Sequence, residues 1–405
     1  MAQRIRSLRM SNTRRTDWFL FTIAAGLAVF GAVMVYSASA MMSLQETQNQ
    51  SDLTYFYKQF GFTLAGIALM IGVSRFDYRL LNNTYVVYGL LAVTAILLVV
   101  VLGFPAINGA RRWIRFGGFS FQPSEIAKVA LPVFLAFFLT KREGEIADLK
   151  RTVLPCLLVL GVVGTLVLRG PDLGTTIVLC AIFSVVYFSA GARIKHLAPV
   201  AGGLVLLGIG ALVFAPWRLR RLAAFIDPCS QDNAADTGYQ VCQSLYAIGS
   251  GGVLGEGFAN GQQKLFYLPY PYSDFIFSVV GEELGLIGTL AVVLAFGLFL
   301  WRGARAAINA PDRFGNLLGI GLVTGIVVQA LFNISVVISI LPAKGIPLPF
   351  ISYGGSSVLV TMLAVGLLLS ISRAGAAEPV KDVRPASVHR PKGRKKEQRA
   401  MSARA

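Results

Sequence analysis

The stretch NTYVVYGLLAVTAILLVVVLG, residues 83–103, contains no charged side chain and is long enough to cross a bilayer as one helix. A membrane-spanning helix needs about 20 apolar residues, because the hydrocarbon core is about 30 Å thick. Comparable runs recur along the chain, whose 405 residues are 55% hydrophobic and only 14% charged. The mean hydropathy is +0.64. This composition excludes a soluble globular protein and predicts an all-α polytopic membrane protein.

Apolar runs of spanning length predict about ten transmembrane helices. The runs cover residues 17–38, 58–74, 83–103, 123–140, 153–168, 174–190, 196–215, 275–301, 316–341 and 353–373. They divide the chain into a basic N-terminus (1–16), a ten-helix membrane domain (17–373) and a basic tail (374–405). A long loop, 217–273, separates the seventh and eighth helices. The tail has few large apolar residues, so we expect it to be disordered.

The chain is strongly basic, with 37 Lys and Arg against 20 Asp and Glu and a formal charge of +17. In a membrane protein such charges report topology, because cytoplasmic loops are enriched in Lys and Arg. The distribution predicts that both termini are cytoplasmic, and the excess needs no nucleic-acid partner. Nine basic residues depart from the rule, which predicts an anionic ligand on the outer side: Arg111, Arg112, Arg115, Lys128, Arg218, Arg220, Arg221, Lys264 and Lys344.

Two short polar segments adjoin predicted spans. In QPSEIAK, residues 122–128, Glu125 and Lys128 are neighbours on one helix face. They form either a self-neutralising ion pair or, with Arg111 and Arg112, a cationic pocket for a pyrophosphate, which guanidinium and ammonium groups bind well. In PDLGT, residues 171–175, Asp172 precedes an apolar run, so it is either a helix N-cap or a functional carboxylate.

The long outer loop ends at a second group of acidic residues. Asp274 is either the cap of the eighth helix or a general base at an apolar boundary. Glu282 and Glu283 follow it inside the helix, where we expect internal ion pairing or support of the site. The glycine-rich stretch 249–257 either permits close approach of a ligand or forms a flexible loop.

The segment KGIPLPFISYGGSS, residues 344–357, places prolines and glycines at membrane depth. Irregular backbone is tolerated there only when it is buried in protein or lines a wet cavity, so it predicts a binding site. The cysteines divide into two pairs. Cys156 and Cys180 lie in spans and read as apolar packing residues, whereas Cys229 and Cys242 share the outer loop and are either bonded or free.

Six motifs, taken together, resemble the SEDS family (shape, elongation, division and sporulation) of bacterial polytopic membrane proteins. They are NGARRWI (108–114), QPSEIAK, PDLGT, AIGSGG (247–252), DFIF with GEELGLIG (274–288) and KGIPLPFISYGGSS. The chain resembles the cell-division branch more than the elongation branch, because it carries MVYSAS (34–39), NGARRW and FISY (350–353).

The resemblance implies a peptidoglycan glycosyltransferase of the inner membrane at the division septum. Such an enzyme polymerises lipid II on the outer face, inverts the anomeric centre to a β-1,4 link and releases undecaprenyl pyrophosphate. Its implied partners are the nascent glycan strand, membrane lipids, a class B penicillin-binding protein and other division-complex membrane proteins. Its implied general base is Asp274. The chain departs from many relatives in having Tyr272 and Ser273 where they have His-Thr.

Substrate contact is predicted for a set of polar residues near the outer face: Arg111, Arg112, Gln122, Glu125, Lys128, Lys264, Lys344, Ser352 and Ser356. A divalent cation, Mg²⁺ or Mn²⁺, could bridge phosphates and carboxylate, although no motif indicates one. The alternative functions are a lipid II flippase or other transporter of lipid-linked substrates, and a division-site adaptor that acts through the basic tail.

Overall fold

The computed structural model describes residues 16–376 except 49, 108, 117–118, 193–197, 199–201, 204–205, 207–209, 211–224, 231–232 and 234–237. Several predictions therefore lie wholly or mostly outside the described residues. They are the N-terminus 1–16, the tail 374–405, the seventh span 196–215 and the outer basic residues Arg218, Arg220 and Arg221.

The described chain is almost entirely helical, as predicted. Its helices are α1 (Trp18–Glu46), α2 (Thr54–Arg75), α3 (Thr84–Val100), α4 (Pro123–Lys141), α5 (Leu154–Arg169), α6 (Leu173–Ser189), α7 (Tyr239–Gly251), α8 (Ile276–Ile308), α9 (Arg313–Val337) and α10 (Gly355–Gly375). Short 3₁₀ turns follow α2, α3 and α4, and a π-helical turn, Leu149–Val153, leads into α5.

Eight helical segments of the described chain are long and apolar enough to cross a membrane, and α6 is a shorter apolar helix. The first segment, α1, continues to Glu46, beyond the predicted end of the first span at residue 38. Aspartates cap several helix starts, since a carboxylate can accept hydrogen bonds from the free N–H groups of the first turn. Asp17 accepts from the Leu20 amide at 3.0 Å, and Asp312 accepts from the Gly315 amide at 2.8 Å.

Helices α4, α9 and α10 form the centre of the bundle, since their spans are the most buried. Helix α9 packs against α4, α6 and α8, and α10 packs along α2. Helices α2, α3 and α8 expose much of their apolar surface, as lipid-facing helices do. A small antiparallel hairpin, β1 (Ile114–Phe116) and β2 (Phe119–Phe121), precedes α4 and was not predicted.

The glycine-rich stretch 249–257 packs on another element, so the flexible-loop interpretation is wrong, whereas close approach of a ligand stays a prediction. Its first residues end α7, a helix that the sequence did not predict within the outer loop. Its later residues pack on the backbone of α8, where a Cβ on Gly255 would lie 2.2 Å from the Glu283 carbonyl oxygen. The glycines therefore allow two backbones to touch.

The cysteines fall into the two predicted groups. Cys229 and Cys242 form a disulfide that ties the start of the described outer loop to α7. Cys156 and Cys180 are free and buried among apolar side chains of α5 and α6.

Candidate functional site

Asp274 lies in the turn immediately before α8, and it does not cap that helix. The cap position is occupied by Phe275, and the helix start has no side-chain cap. The capping interpretation of Asp274 is therefore wrong. Its carboxylate accepts a hydrogen bond from the Ser273 hydroxyl at 3.1 Å. The side chain is half-buried and keeps acceptor capacity for a ligand.

The backbone around Asp274 is fixed by the irregular segment that joins α9 to α10. The Asn333 side-chain amide donates to the carbonyl oxygens of Asp274 and Ile346, both at 2.7 Å. The Ser352 hydroxyl donates to the Ser273 carbonyl at 2.6 Å. A further bond, 2.9 Å long, runs from the Tyr353 amide to the Tyr272 carbonyl. The predicted binding segment thus holds the candidate base in place.

Gly345 faces the carboxylate of Asp274. A Cβ at this position would lie 3.0 Å from Asp274 Oδ2 and 4.0 Å from an amino nitrogen of Arg112. Because residue 345 has no side chain, the irregular segment can pack close to the Asp274 carboxylate and the Arg112 guanidinium.

Arg112 lies between two carboxylates. Its Nε donates to the Gly170 carbonyl at 2.9 Å, a terminal nitrogen donates to the Pro171 carbonyl, and the other is 4.0 Å from Asp172 Oδ1. These contacts orient a half-buried guanidinium toward the Asp274 region. Such a group carries a fixed positive charge in the place where the sequence predicted anion binding.

Asp172 is an N-cap, which was one of its two predicted roles. It accepts the Thr175 amide at 3.0 Å and the Thr175 hydroxyl at 2.8 Å. The Gln122 amide and Ser124 hydroxyl also donate to it, at 3.1 and 3.2 Å. These donors fix the carboxylate of Asp172, which lies 4.0 Å from Arg112. The predicted contact of Gln122 with substrate stays a prediction.

Burial raises the pKa of Asp274 to about 6. The protein packed around the carboxyl removes water from its charged form, which is the largest cause, and the charge of Asp172 raises the pKa further. The hydrogen bond from Ser273 and the charge of Arg112 act in the opposite direction. A carboxylate with this pKa is ionised at neutral pH and is a better proton acceptor than an ordinary aspartate.

Glu125 and Lys128 form the predicted ion pair, with Nζ 2.7 Å from Oε2 and both side chains largely buried. Lys128 also donates to the side-chain Oε1 of Gln329, and Nε2 of the same side chain donates to the Pro347 backbone carbonyl at 2.8 Å. The pair therefore supports the irregular segment through Gln329. Contact between the pair and a pyrophosphate stays a prediction.

Lys264 belongs to another buried cluster. Its Nζ lies 2.6 Å from Glu283 Oε1 and 2.8 Å from the Ser37 hydroxyl. Glu283 thus makes an internal ion pair, one of the roles predicted for it. Because its charge is already balanced within this cluster, Lys264 is better suited to holding the outer loop than to binding substrate.

The remaining predicted contacts lie around this centre. Arg111 is exposed and donates to the Leu102 carbonyl at 2.9 Å, and Lys344 adjoins Gly345 in the chain. The Ser356 hydroxyl accepts a hydrogen bond from the backbone N–H of Gln122 at 3.3 Å. Sequence reasoning missed Asn333 and Gln329, although an amide side chain within an apolar helix is itself a signal of buried polar structure.

Three tyrosines pack together beside the candidate base. The ring centroids of Tyr55, Tyr272 and Tyr353 are 4.9, 5.1 and 5.7 Å apart. Tyr272 occupies one of the two positions at which the chain departs from the His-Thr of many relatives. In this protein an aromatic cluster therefore stands where a histidine would be.

In the described residues, no group of three or more His, Cys, Asp or Glu side chains is placed to hold a metal ion. A divalent cation therefore stays a prediction that depends on phosphate oxygens from a substrate.

Comparison with known proteins agrees with these motifs. The FtsW, RodA and SpoVE family model, described as a cell cycle protein, matches residues 17–376. The chain belongs to this family. It is 40% identical over 371 residues to the probable peptidoglycan glycosyltransferase FtsW of Geobacter metallireducens, covering 90% of the chain and 96% of that relative. It is 38% identical over 368 residues to the stage V sporulation protein E of Bacillus subtilis, covering 89% and 98%.

Solved structures of this family share the fold. A chain from a peptidoglycan synthase complex, described for its coordination of polymerization and crosslinking, has a TM-score of 0.74 at 28% identity, covering 90% of our chain and 99% of that one. The rod shape determining protein RodA of Thermus thermophilus has a TM-score of 0.65 at 29% identity, covering 89% and 97%. These matches confirm the predicted family and helical membrane fold.

Proposed function

We propose that this protein is an inverting glycosyltransferase that polymerises lipid II into β-1,4-linked glycan strands. It acts on the outer face of the inner membrane during septal wall synthesis. Relatives that share its full membrane domain are named peptidoglycan glycosyltransferases. The observation that carries the proposal is the carboxylate of Asp274. It caps no helix, it lies beside Arg112, and its pKa is raised.

Asp274 acts as the general base in the proposed reaction. It takes the proton from the 4-hydroxyl of the acceptor GlcNAc, and the oxygen attacks the anomeric carbon of the donor strand. The bond from that carbon to the pyrophosphate oxygen breaks, undecaprenyl pyrophosphate leaves, and the anomeric centre inverts. Asp274 then returns its proton to solvent. One positioned base contributes about 10²–10⁴ in rate, and the activated leaving group needs no separate acid.

Arg112 supplies positive charge for the leaving pyrophosphate. Its guanidinium is already oriented by the Gly170 and Pro171 carbonyls, so little reorganisation is needed when charge develops. The exposed Arg111 and the neighbouring Lys344 extend this positive region. If a divalent cation takes part, Asp274 and the substrate phosphates would hold it, and it would supply further neutralisation of the phosphate charge.

The proposed partner is a class B penicillin-binding protein that crosslinks the strands. A similar chain has been solved in a peptidoglycan synthase complex that couples polymerization to crosslinking. The protein is an integral inner-membrane protein. Cytoplasmic termini, a place at the division septum and contacts with other division proteins follow from the charge distribution and the family.

The test is polymerisation of fluorescent lipid II by the purified protein together with its penicillin-binding partner. We expect glycan strands on a gel from the native chain and none from Asp274→Asn. The matched control is Asp148→Asn, which changes an exposed helix-capping aspartate in another loop. This variant should polymerise lipid II as the native chain does. Equal product from Asp274→Asn would overturn the proposal. Flipping of labelled lipid II by the chain alone, unchanged in Asp274→Asn, would support the transporter alternative.

A further inference from the structure

Helix α8 is broken at Gly285, whose backbone has a φ of +64°. The break interrupts the helical hydrogen bonds, and a segment of the outer loop replaces them. We call residues 252–257 the loop tip. Its amides donate to carbonyls before the break, and its carbonyls accept from amides after it: Glu256 to Glu282 at 2.9 Å, Gly257 to Glu283 at 3.1 Å, Leu286 to Gly252 at 3.0 Å and Ile287 to Val253 at 3.3 Å.

Glycines make this contact possible. Gly252, Gly255 and Gly257 all have positive φ, so the tip turns back sharply on itself. A Cβ on Gly285 would lie 2.4 Å from the Gly255 nitrogen. The tip is therefore fixed to the helix at a defined height rather than hanging freely from the loop.

The tip carries two consecutive apolar side chains, Val253 and Leu254, and both are exposed. Val253 is 62% exposed and Leu254 is 78% exposed. Directly after the break, Leu286 and Ile287 are 51% and 58% exposed. Together these four side chains form one continuous apolar surface, since the tip is bonded to the helix at these residues. A surface of this kind needs an apolar partner.

The position of the break along α8 indicates what that partner is. Arg302 marks the other end of the span, where it pairs with Asp17 at 2.8 Å. A crossing takes about 20 residues at about 1.5 Å each, and counting back from Arg302 places the outer edge of the hydrocarbon near Glu282. Leu286 and Ile287 then face lipid just inside the outer boundary, and the tip lies beside them.

We propose that the loop tip inserts Val253 and Leu254 into the outer leaflet of the bilayer, with lipid acyl chains as its partner. The apolar surface of the tip continues the lipid-facing surface of α8, which favours lipid over a protein partner. Exposed polar residues flank the two apolar side chains, with Ser250 before the tip and Glu256 near its end. The outer loop is thereby anchored on the membrane some way before it reaches Asp274.

The experiment measures nitroxide collision rates in the full chain, in vesicles of phosphatidylethanolamine and phosphatidylglycerol. Spin labels are placed through Leu254→Cys and Val253→Cys. Oxygen concentrates in the bilayer, whereas a nickel chelate stays in water. Leu290→Cys, on the lipid-facing side of α8, and Gln262→Cys, an exposed polar position of the same loop, are the matched controls. The chain without an added cysteine, treated with the same spin label, measures any labelling of the native cysteines.

We expect the labels at 253 and 254 to collide with oxygen more than with the nickel chelate, as the label at 290 does. The label at 262 should show the reverse. A label at 254 that matches the one at 262 would place the tip in water and overturn the proposal. Low collision with both reagents would mean that protein covers the tip, which also overturns it. The outcome is independent of lipid II polymerisation, so it stands or falls separately from the proposed function.

Discussion

At the scale of single residues, Asp274 differs from the other aspartates that precede helices in this protein. Asp17, Asp172 and Asp312 each accept a backbone amide of the helix that follows. Such bonds stabilise the charged form and use up acceptor capacity. Asp274 keeps its acceptor capacity and is desolvated. This combination is costly for folding and useful for proton transfer, so its position is better explained by chemistry than by helix capping.

Polymerisation should therefore depend on pH through Asp274. Because the base must be ionised, the rate should rise with pH, reach half of its maximum near the pKa of about 6 and level off at neutral pH. Arg112→Gln removes a charge that lowers this pKa, so the midpoint should move to higher pH. Initial rates with fluorescent lipid II across the pH range measure this. Arg111→Gln, which changes an exposed arginine, should leave the midpoint unmoved.

A methyl group at residue 345 should impair catalysis without unfolding the protein. In Gly345→Ala the new Cβ would lie 3.0 Å from Asp274 Oδ2, so the carboxylate must move by a few tenths of an ångström. Misplacement of a catalytic group costs up to about a hundredfold in rate. We expect a lower kcat and an unchanged melting temperature. Gly72→Ala, which meets open space, is the control, and a normal kcat for Gly345→Ala would contradict the geometry.

At the scale of elements, the positions of most helices followed from their apolar runs, whereas their interruptions did not. Nothing in the run 275–301 distinguishes Gly285 from a tolerated helical glycine. Its partner lies 30 residues earlier, at Gly255, and a pairing so distant leaves no periodic signal. Asp274 could be placed only as one of two alternatives, because capping depends on the turn at Phe275. The segment 344–357 was correctly predicted to be irregular as far as Gly354, after which α10 begins, since its prolines and glycines act locally.

A buried ion pair between Lys264 and Glu283 helps to hold the outer loop on α8. Lys264→Met would leave Glu283 buried without its counter-charge, and breaking such a pair costs about 3–5 kcal/mol. Denaturant unfolding in detergent should show a loss of that size. The exposed pair of Arg151 with Glu145 provides the control, because Arg151→Met should cost about 1 kcal/mol or less. A small loss for Lys264→Met, or one that Glu283→Gln fails to reduce, would argue against this anchor.

At the scale of the whole molecule, the ends of the helices separate into two chemical groups. The predicted cytoplasmic segments contact one another through basic residues: Arg302 with Asp17, Arg79 with Asp312, Arg313 with Glu143 and Arg373 with the Arg75 carbonyl. Arg112, Asp172, Asp274 and the irregular segment gather in a separate group. Of the basic residues that departed from the charge rule, Arg112 and Lys344 lie at the candidate site, as a ligand with phosphate groups would require, whereas Lys264 is paired with Glu283 elsewhere.

This separation predicts the orientation of the protein in the membrane. Lys and Arg are retained on the cytoplasmic side, so the loop that contains Lys150 should be inside and the loop that contains Gln262 outside. A membrane-impermeant maleimide should label Gln262→Cys in intact cells and Lys150→Cys only after permeabilisation. Both positions are exposed, and the native free cysteines are buried. The reverse pattern would place Asp274 on the side where ATP, and not the assembling wall, is found, and polymerisation at that carboxylate would then be ruled out.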